Sequence, residues 1–210
     1  MNAPDTETGA AREDLCRFLA ACYYEPGPEF TEEKLFASLH AAADRIDPAL
    51  ADMAKRLGEA FAGDGLETLL VDYTRLFLGP VDAPARPYGS IWLGKDKLTM
   101  QDSTMAVLAL YEEGGFDLAE DFRELPDHVA AELEFLYLLL FREHRARRDG
   151  QPQALSAATD LKRRFLDEHL GRWAGPFAEA LSAGAQTGFY RELGVLTGRF
   201  VAMEAQRAAA

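Results

Sequence analysis

Apolar side chains recur at helical spacing along almost the whole chain, which leaves room for little besides helices. Leu15, Phe18, Leu19, Cys22 and Tyr23 follow i, i+3, i+4, i+7, i+8 without a miss, the mark of one buried helix face. Glu25-Pro-Gly-Pro28 stops that helix. Thr31 is the expected cap of a short helix carrying Leu35, Phe36 and Leu39. Asp47-Pro48 reads as a helix start, because proline at the first turn loses no intrahelical bond. Leu50, Met53, Ala54, Leu57 and Phe61 supply its stripe, and Gly63-Asp-Gly65 ends it. Leu66, Leu69, Leu70, Tyr73 and Phe77 form the next stripe, up to Gly79-Pro80.

Residues 79–99 break the pattern. Six Gly and Pro residues forbid a long helix there, yet Tyr88, Ile91, Trp92 and Leu93 lie within it. Large apolar groups in a long connection must dock on a core or meet a ligand. Asp102 or Ser103 then caps a helix that ends at Gly114-Gly115. The strongest helix is expected over 126–149, with Pro126 in its first turn, acids towards its start and four arginines at its end, complementing the dipole. Its middle, Phe135 to Phe141, is apolar on all sides, so it is expected at the centre of the fold. Three further stripes follow, led by Phe165, Trp173 with Phe177, and Phe189 with Phe200. No segment alternates as a strand. The expectation is an all-α single globular domain of about eight to ten helices. A flexible start over 1–10, a helical body over 11–203 and a frayed Ala-rich tail over 204–210 complete it.

Seven consecutive apolar residues fall far short of the roughly twenty a membrane span needs. The polar start has no apolar core of a secretory signal, so a cytoplasmic protein is expected. Cys16 and Cys22 lie six apart on one helix and point to different sides, which suits reduced core thiols rather than a disulfide or a zinc site. Residues 1–140 carry 27 acidic groups against 11 Lys and Arg, whereas residues 141–210 carry 8 against 11. Such acidity argues against nucleic-acid binding, which needs a basic footprint. It suits either a basic partner or plain solubility.

Motifs of catalysis are missing from the sequence: no phosphate-binding glycine loop, no nucleophile elbow and no His-Glu-x-x-His. His128 and Glu132 share a helix face at i, i+4 and would hold a metal only with further carboxylates; a helical metal-dependent hydrolase is the enzymatic alternative. His144 and His169 lie near charged helix ends and read as surface groups. One constellation stands apart. The loop Pro87-Tyr-Gly-Ser-Ile-Trp92 precedes Glu124-Leu-Pro-Asp-His-Val129, which opens the central helix. Together they either plug the core or form a groove with an apolar base and a polar rim.

At these segments the sequence resembles the TorD/DmsD/NarJ-like family of molybdoenzyme maturation chaperones. The likeness rests on Tyr73-Thr-Arg-Leu-Phe-Leu-Gly-Pro80, on Pro87-Tyr-Gly-Ser-Ile-Trp92, and on Glu124-Leu-Pro-Asp-His-Val-Ala-Ala-Glu-Leu-Glu-Phe135. Phe165-Leu-Asp-Glu-His-Leu170, Trp173 and Phe189-Tyr190 extend it towards the C-terminus. Gly89 with Trp92 is similar to the DmsD branch, and Glu132-Leu-Glu-Phe135 to TorD. The resemblance implies an all-helical, non-catalytic protein without a cofactor. It implies binding of the twin-arginine signal peptide and apo catalytic subunit of a molybdopterin oxidoreductase, held for cofactor insertion before export. A NarJ-like chaperone of a non-exported enzyme is the alternative within the family, and homodimers occur among its members. Carried over, the peptide-binding positions are Tyr73, Leu76, Phe77, Pro87, Tyr88, Trp92, Asp127 and His128. On this reading Leu76, Phe77, Tyr88 and Trp92 take the apolar stretch and Asp127 pairs with an arginine. Negative potential steers the basic end inward, and His128 offers a pH-sensitive grip.

Overall fold

A computed structural model of the chain describes residues 3–28, 30, 34–79, 83–94, 97–120 and 122–210; Thr31, the expected cap, lies outside them. Among the described residues the fold is all-α, with ten named helices and no strand. They are α1 (Ala3–Ala21), α2 (Leu35–Asp44), α3 (Pro48–Asp64), α4 (Leu66–Tyr73), α5 (Gly89–Leu93), α6 (Asp102–Glu113), α7 (Val129–Arg148), α8 (Pro152–Glu168), α9 (Leu170–Gly184) and α10 (Gly188–Ala209). Within these residues, no helix is long and apolar enough to cross a membrane.

The central helix is α7, which packs along α1 on one side and α8 on the other, while α10 lies on α9 and α3. Leu133, Phe135, Leu136 and Leu139 of α7 are fully buried with Leu15 and Leu19 of α1 and Phe165 of α8. Cys16 and Cys22 are free and buried in the same core. The Cys16 thiol donates to the Leu133 carbonyl at 3.2 Å, and burial pushes both thiols up, holding them protonated.

The structure departs from the sequence reading at several ends. The central helix begins at Val129, not Pro126, because residues 125–128 form a turn that His128 closes: its Nδ1 accepts from Ala130 N at 3.2 Å. Asp102 begins α6 without capping it; Gln101 is the N-cap and contributes no side-chain bond. The helix over Leu66–Tyr73 continues as a π-helical turn over Thr74–Leu78. Within it adjacent Leu76 and Phe77 are both buried, whereas Leu66 and Val71 before it stay exposed. π-helical turns of this kind are often found at functional sites.

Both expected loose ends are helical, from Ala3 and to Ala209. The last helix does not fray at 204, because Glu204 is fully buried and held by both Nε and Nη2 of Arg12. Glu143 pairs beside them with Lys162 and, at 3.0 Å, with Arg147. This buried charge network ties α1, α7, α8 and α10 together.

Candidate functional site

The sequence-derived site residues separate into three environments. Tyr73, Leu76 and Phe77 belong to the core. Phe77 packs edge-on against Tyr73 at 5.1 Å and Tyr190 at 5.5 Å between ring centroids, and Leu76 is fully buried. Leu76 and Phe77 therefore do not line an open groove. Beside them Asp72 accepts from Gln186 N at 2.9 Å, and from Thr187 N and Thr187 Oγ1 at 2.8 Å. Arg75 donates to the same carboxylate. Burial alone would raise the Asp72 carboxyl, but the Thr187 bonds and Arg75 outweigh it and hold it below the usual range. Asp72, with Arg75 donating to both its carboxylate and the Gly184 carbonyl, thus pins the α9–α10 corner.

The second environment is a buried polar joint beneath α5. Tyr88 and His128 form an isolated antiparallel bridge, with Gly89 N donating to Asp127 O and Val129 N to Pro87 O, both at 2.8 Å. Asp127 is fully buried. Its Oδ2 accepts from Ser90 N at 2.7 Å and Thr104 Oγ1 at 3.3 Å, which fastens α5 and α6 to the start of α7. Asp127 therefore does not stand at the surface to meet an arginine. His128 is buried as well; burial lowers its imidazole to about 3, so it is a neutral cap rather than a pH-sensitive grip.

Glu132 does not turn towards His128. Its Oε2 accepts from Trp173 Nε1 and pairs with His169 Nδ1, both at 3.0 Å. His169 Nε2 faces the Ser103 carbonyl at 3.0 Å. Both ring nitrogens point at acceptors, and only the imidazolium donates to both. Burial opposes that charge, but Glu132 and the Ser103 carbonyl outweigh it and raise His169. His169, read from sequence as a surface group, is 2% exposed. The polar His169 falls on the four-residue spacing Phe165, His169, Trp173, Phe177, and that spacing was the available signal. The His128–Glu132 metal pair accordingly dissolves into two separate structural roles. Gly89 packs closely above this joint: a Cβ there would lie 2.9 Å from Glu132 Oε1 and from Trp173 Nε1, so a larger residue would have to displace one of them.

The third environment is the surface, and it holds residues that the sequence reading missed. Tyr88 is half-buried; its ring lies edge-on to His128 at 5.5 Å and its hydroxyl donates to Glu124 at 2.6 Å. Tyr24 donates likewise to Glu134 at 2.7 Å. Burial first, then Glu124, pushes up the hydroxyls of Tyr73 (to about 12) and Tyr88. Burial, Glu134 and Glu124 do the same for Tyr24, and Glu25 also acts on Tyr73. Tyr24 and Tyr88 therefore stand as protonated donors bonded to Glu134 and Glu124, while the buried Tyr73 hydroxyl feels Glu124 and Glu25 from within the core. Trp92 is half-buried at a neighbouring edge, with its Nε1 donating to Arg86 O at 2.8 Å and its ring near Phe177. Tyr24 and Glu134 line an apolar groove of about 400 Å³, lined also by Ala21, Phe116, Tyr137 and Leu138. The signal for Glu124 lay in the sequence beside Asp127; that for Tyr24, Glu25 and Glu134 did not, because they converge only in the fold.

The chain is 27% identical to the Tat proofreading chaperone DmsD of Salmonella typhimurium, over 84% of this chain and 80% of that one. It is 33% identical to the chlorate reductase assembly chaperone protein of Ideonella dechloratans, over 72% of this chain and 77% of that one. With the chaperone protein TorD of Photobacterium profundum it shares 30% identity over 58% of this chain, but spans only 55% of that relative's length. A solved redox enzyme maturation protein from Archaeoglobus fulgidus shares the fold, with a TM-score of 0.55 at 22% identity, covering 90% of this chain and 92% of that one. These relatives are named as chaperones or maturation proteins and not as enzymes. Residues 43–179 match the family described as nitrate reductase delta subunit, and the chain belongs to that family of reductase-assembly chaperones.

Proposed function

We propose that this protein is a cytoplasmic, non-catalytic chaperone that binds the twin-arginine leader and apo catalytic subunit of a molybdopterin-dependent oxidoreductase. It holds that subunit until the cofactor is inserted. The observation that carries this reading is the pair of tyrosine–carboxylate contacts, Tyr24 with Glu134 and Tyr88 with Glu124, the first of which lines an apolar groove. A twin-arginine leader has a basic start and an apolar stretch. Guanidinium groups pair directionally with carboxylates and stack on tyrosine rings. The apolar stretch has the adjoining groove to enter. Here Asp127 and His128 hold the aromatic loop from beneath, and Tyr88 and Trp92 remain its contact residues.

Calorimetric titration with synthetic twin-arginine leaders of molybdoenzymes, beside leaders whose two arginines are alanine, tests this. The expected result is tight binding to one leader, weakened by salt and lost in the double-alanine peptide. Glu124→Gln with Glu134→Gln is expected to weaken it about tenfold or more, as removal of charge-assisted bonds does. Absence of binding to every leader, or binding indifferent to the arginines, overturns the reading.

A further inference from the structure

Four buried side-chain oxygens around α5 have no partner in the protein: Ser90 Oγ, Ser103 Oγ, Asp127 Oδ1 and Glu132 Oε1. They are not scattered. Ser90 N is bonded to Asp127, and its neighbour Gly89 abuts Glu132 Oε1. Glu132 pairs with His169, His169 with the Ser103 carbonyl, and Thr104, next to Ser103, returns to Asp127. The chain of contacts closes into a ring with two dipeptides, Gly89-Ser90 and Ser103-Thr104, each touching both halves of it.

The orphaned groups are two carboxylate oxygens, which only accept, and two hydroxyls, each with a proton to give. A metal cation would satisfy the carboxylates but leave both hydroxyl protons unused. One water molecule meets all four needs, donating twice and accepting twice. Buried waters of this kind make about three hydrogen bonds each. We propose that a single buried water binds between Asp127 Oδ1, Glu132 Oε1, Ser90 Oγ and Ser103 Oγ, and that this hydrated ring positions the Pro87–Trp92 loop on the central helix. Ser90, Ser103 and Glu132 are then positioning residues, acting on Tyr88 and Trp92 through the backbone of α5, whatever partner the loop meets.

Two measurements on the full chain test it. A high-resolution crystal structure grown from rubidium salt should contain one water-like peak with four contacts of about 2.6–3.1 Å to those atoms. An anomalous rubidium peak there, or side chains paired directly with one another, overturns the proposal. Amide hydrogen exchange reads the positioning. Ser103→Ala is expected to speed exchange of the Gly89, Ser90 and Val129 amides about tenfold while leaving α9 and α10 unchanged, and Ser103→Thr, which keeps the hydroxyl, is expected to restore protection. Unchanged exchange in the alanine variant, or an equal rise throughout the molecule, overturns it.

Discussion

His128 and His169 lie on the same buried joint and titrate in opposite directions. Burial lowers His128 to about 3, so between that value and the ordinary 6.5 the unfolded chain binds the extra proton. Its stability contribution is present above 6.5 and is lost as pH falls through that window. His169 is raised by Glu132 against the effect of burial; its contribution is full below 6.5 and is lost as pH rises through the folded value. Urea unfolding across about pH 5 to 8 should therefore give a stability maximum inside the range. His128→Asn, which puts an amide oxygen in place of the capping ring nitrogen, is expected to flatten the acid limb by roughly 2 kcal/mol at about pH 5. His169→Gln is expected to flatten the alkaline limb. A variant with the same slope as the parent would show that its histidine is not the group concerned. None of this was legible in the sequence. The spacing of His128 and Glu132 suggested one site, but burial sent the first to a helix cap and the second to an ion pair.

At the level of elements, the contrast is between α4 with its π turn and the last turns of α10. The stripe from Leu66 to Phe77 correctly indicates a helix, and Tyr73, Leu76 and Phe77 keep its i, i+3, i+4 spacing into the core. The π turn over Thr74–Leu78 and the reach of Asp72 to the α9–α10 corner have no such local signal. Asp72→Ala leaves the Thr187 N–H and hydroxyl without that acceptor and is expected to cost about 2–3 kcal/mol, measured by chemical denaturation. Residues 204–210 are strong helix formers, but carry no apolar stripe to dock them. Order comes from Arg12, 192 positions away in the chain, meeting Glu204 in a buried pair. Arg12→Ala leaves that carboxylate buried and uncompensated, an expected loss of about 3–5 kcal/mol. At this chain length that is a fall in Tm on the order of 10 °C, and a calorimetric scan measures it. A change under about 1 kcal/mol would mean the pair adds no more than a surface one.

Across the whole molecule, the acidic excess of residues 1–140 gains a location. Part of it is internal: Asp72, Asp127 and Glu132 are buried and paired or bonded, so they add little to steering. On the function proposed above, the part that meets a partner is Glu124 and Glu134, which stand beside Tyr88 and Tyr24, with Glu25 near them. Association with a basic leader should accordingly slow as ionic strength rises, because screening reaches within about 10 Å at 0.1 M salt. Stopped-flow association rates measure this, and Glu124→Gln with Glu134→Gln should reduce their salt dependence. Equal dependence in parent and variant would place the steering charges elsewhere.

The sequence by itself determined the helices, their order, the central place of the helix that begins at Val129, the core thiols and the position of the aromatic loop. These follow from local periodicity, from Gly and Pro, and from apolar runs that have no alternative to burial. It also marked out Tyr88 and Trp92, whose loop has no periodic face of its own. Only the tertiary structure decided which polar groups are inside. Asp127 and His169 look alike in sequence to the many acids and basic groups that stay in water. What buries them is a set of partners (Ser90, Thr104, Ser103, Glu132 and Trp173) contributed by four separate helices and their ends. A carboxylate or an imidazolium tolerates burial only when such partners converge, and convergence of residues as far apart as Ser90 and Trp173 is a property of packing.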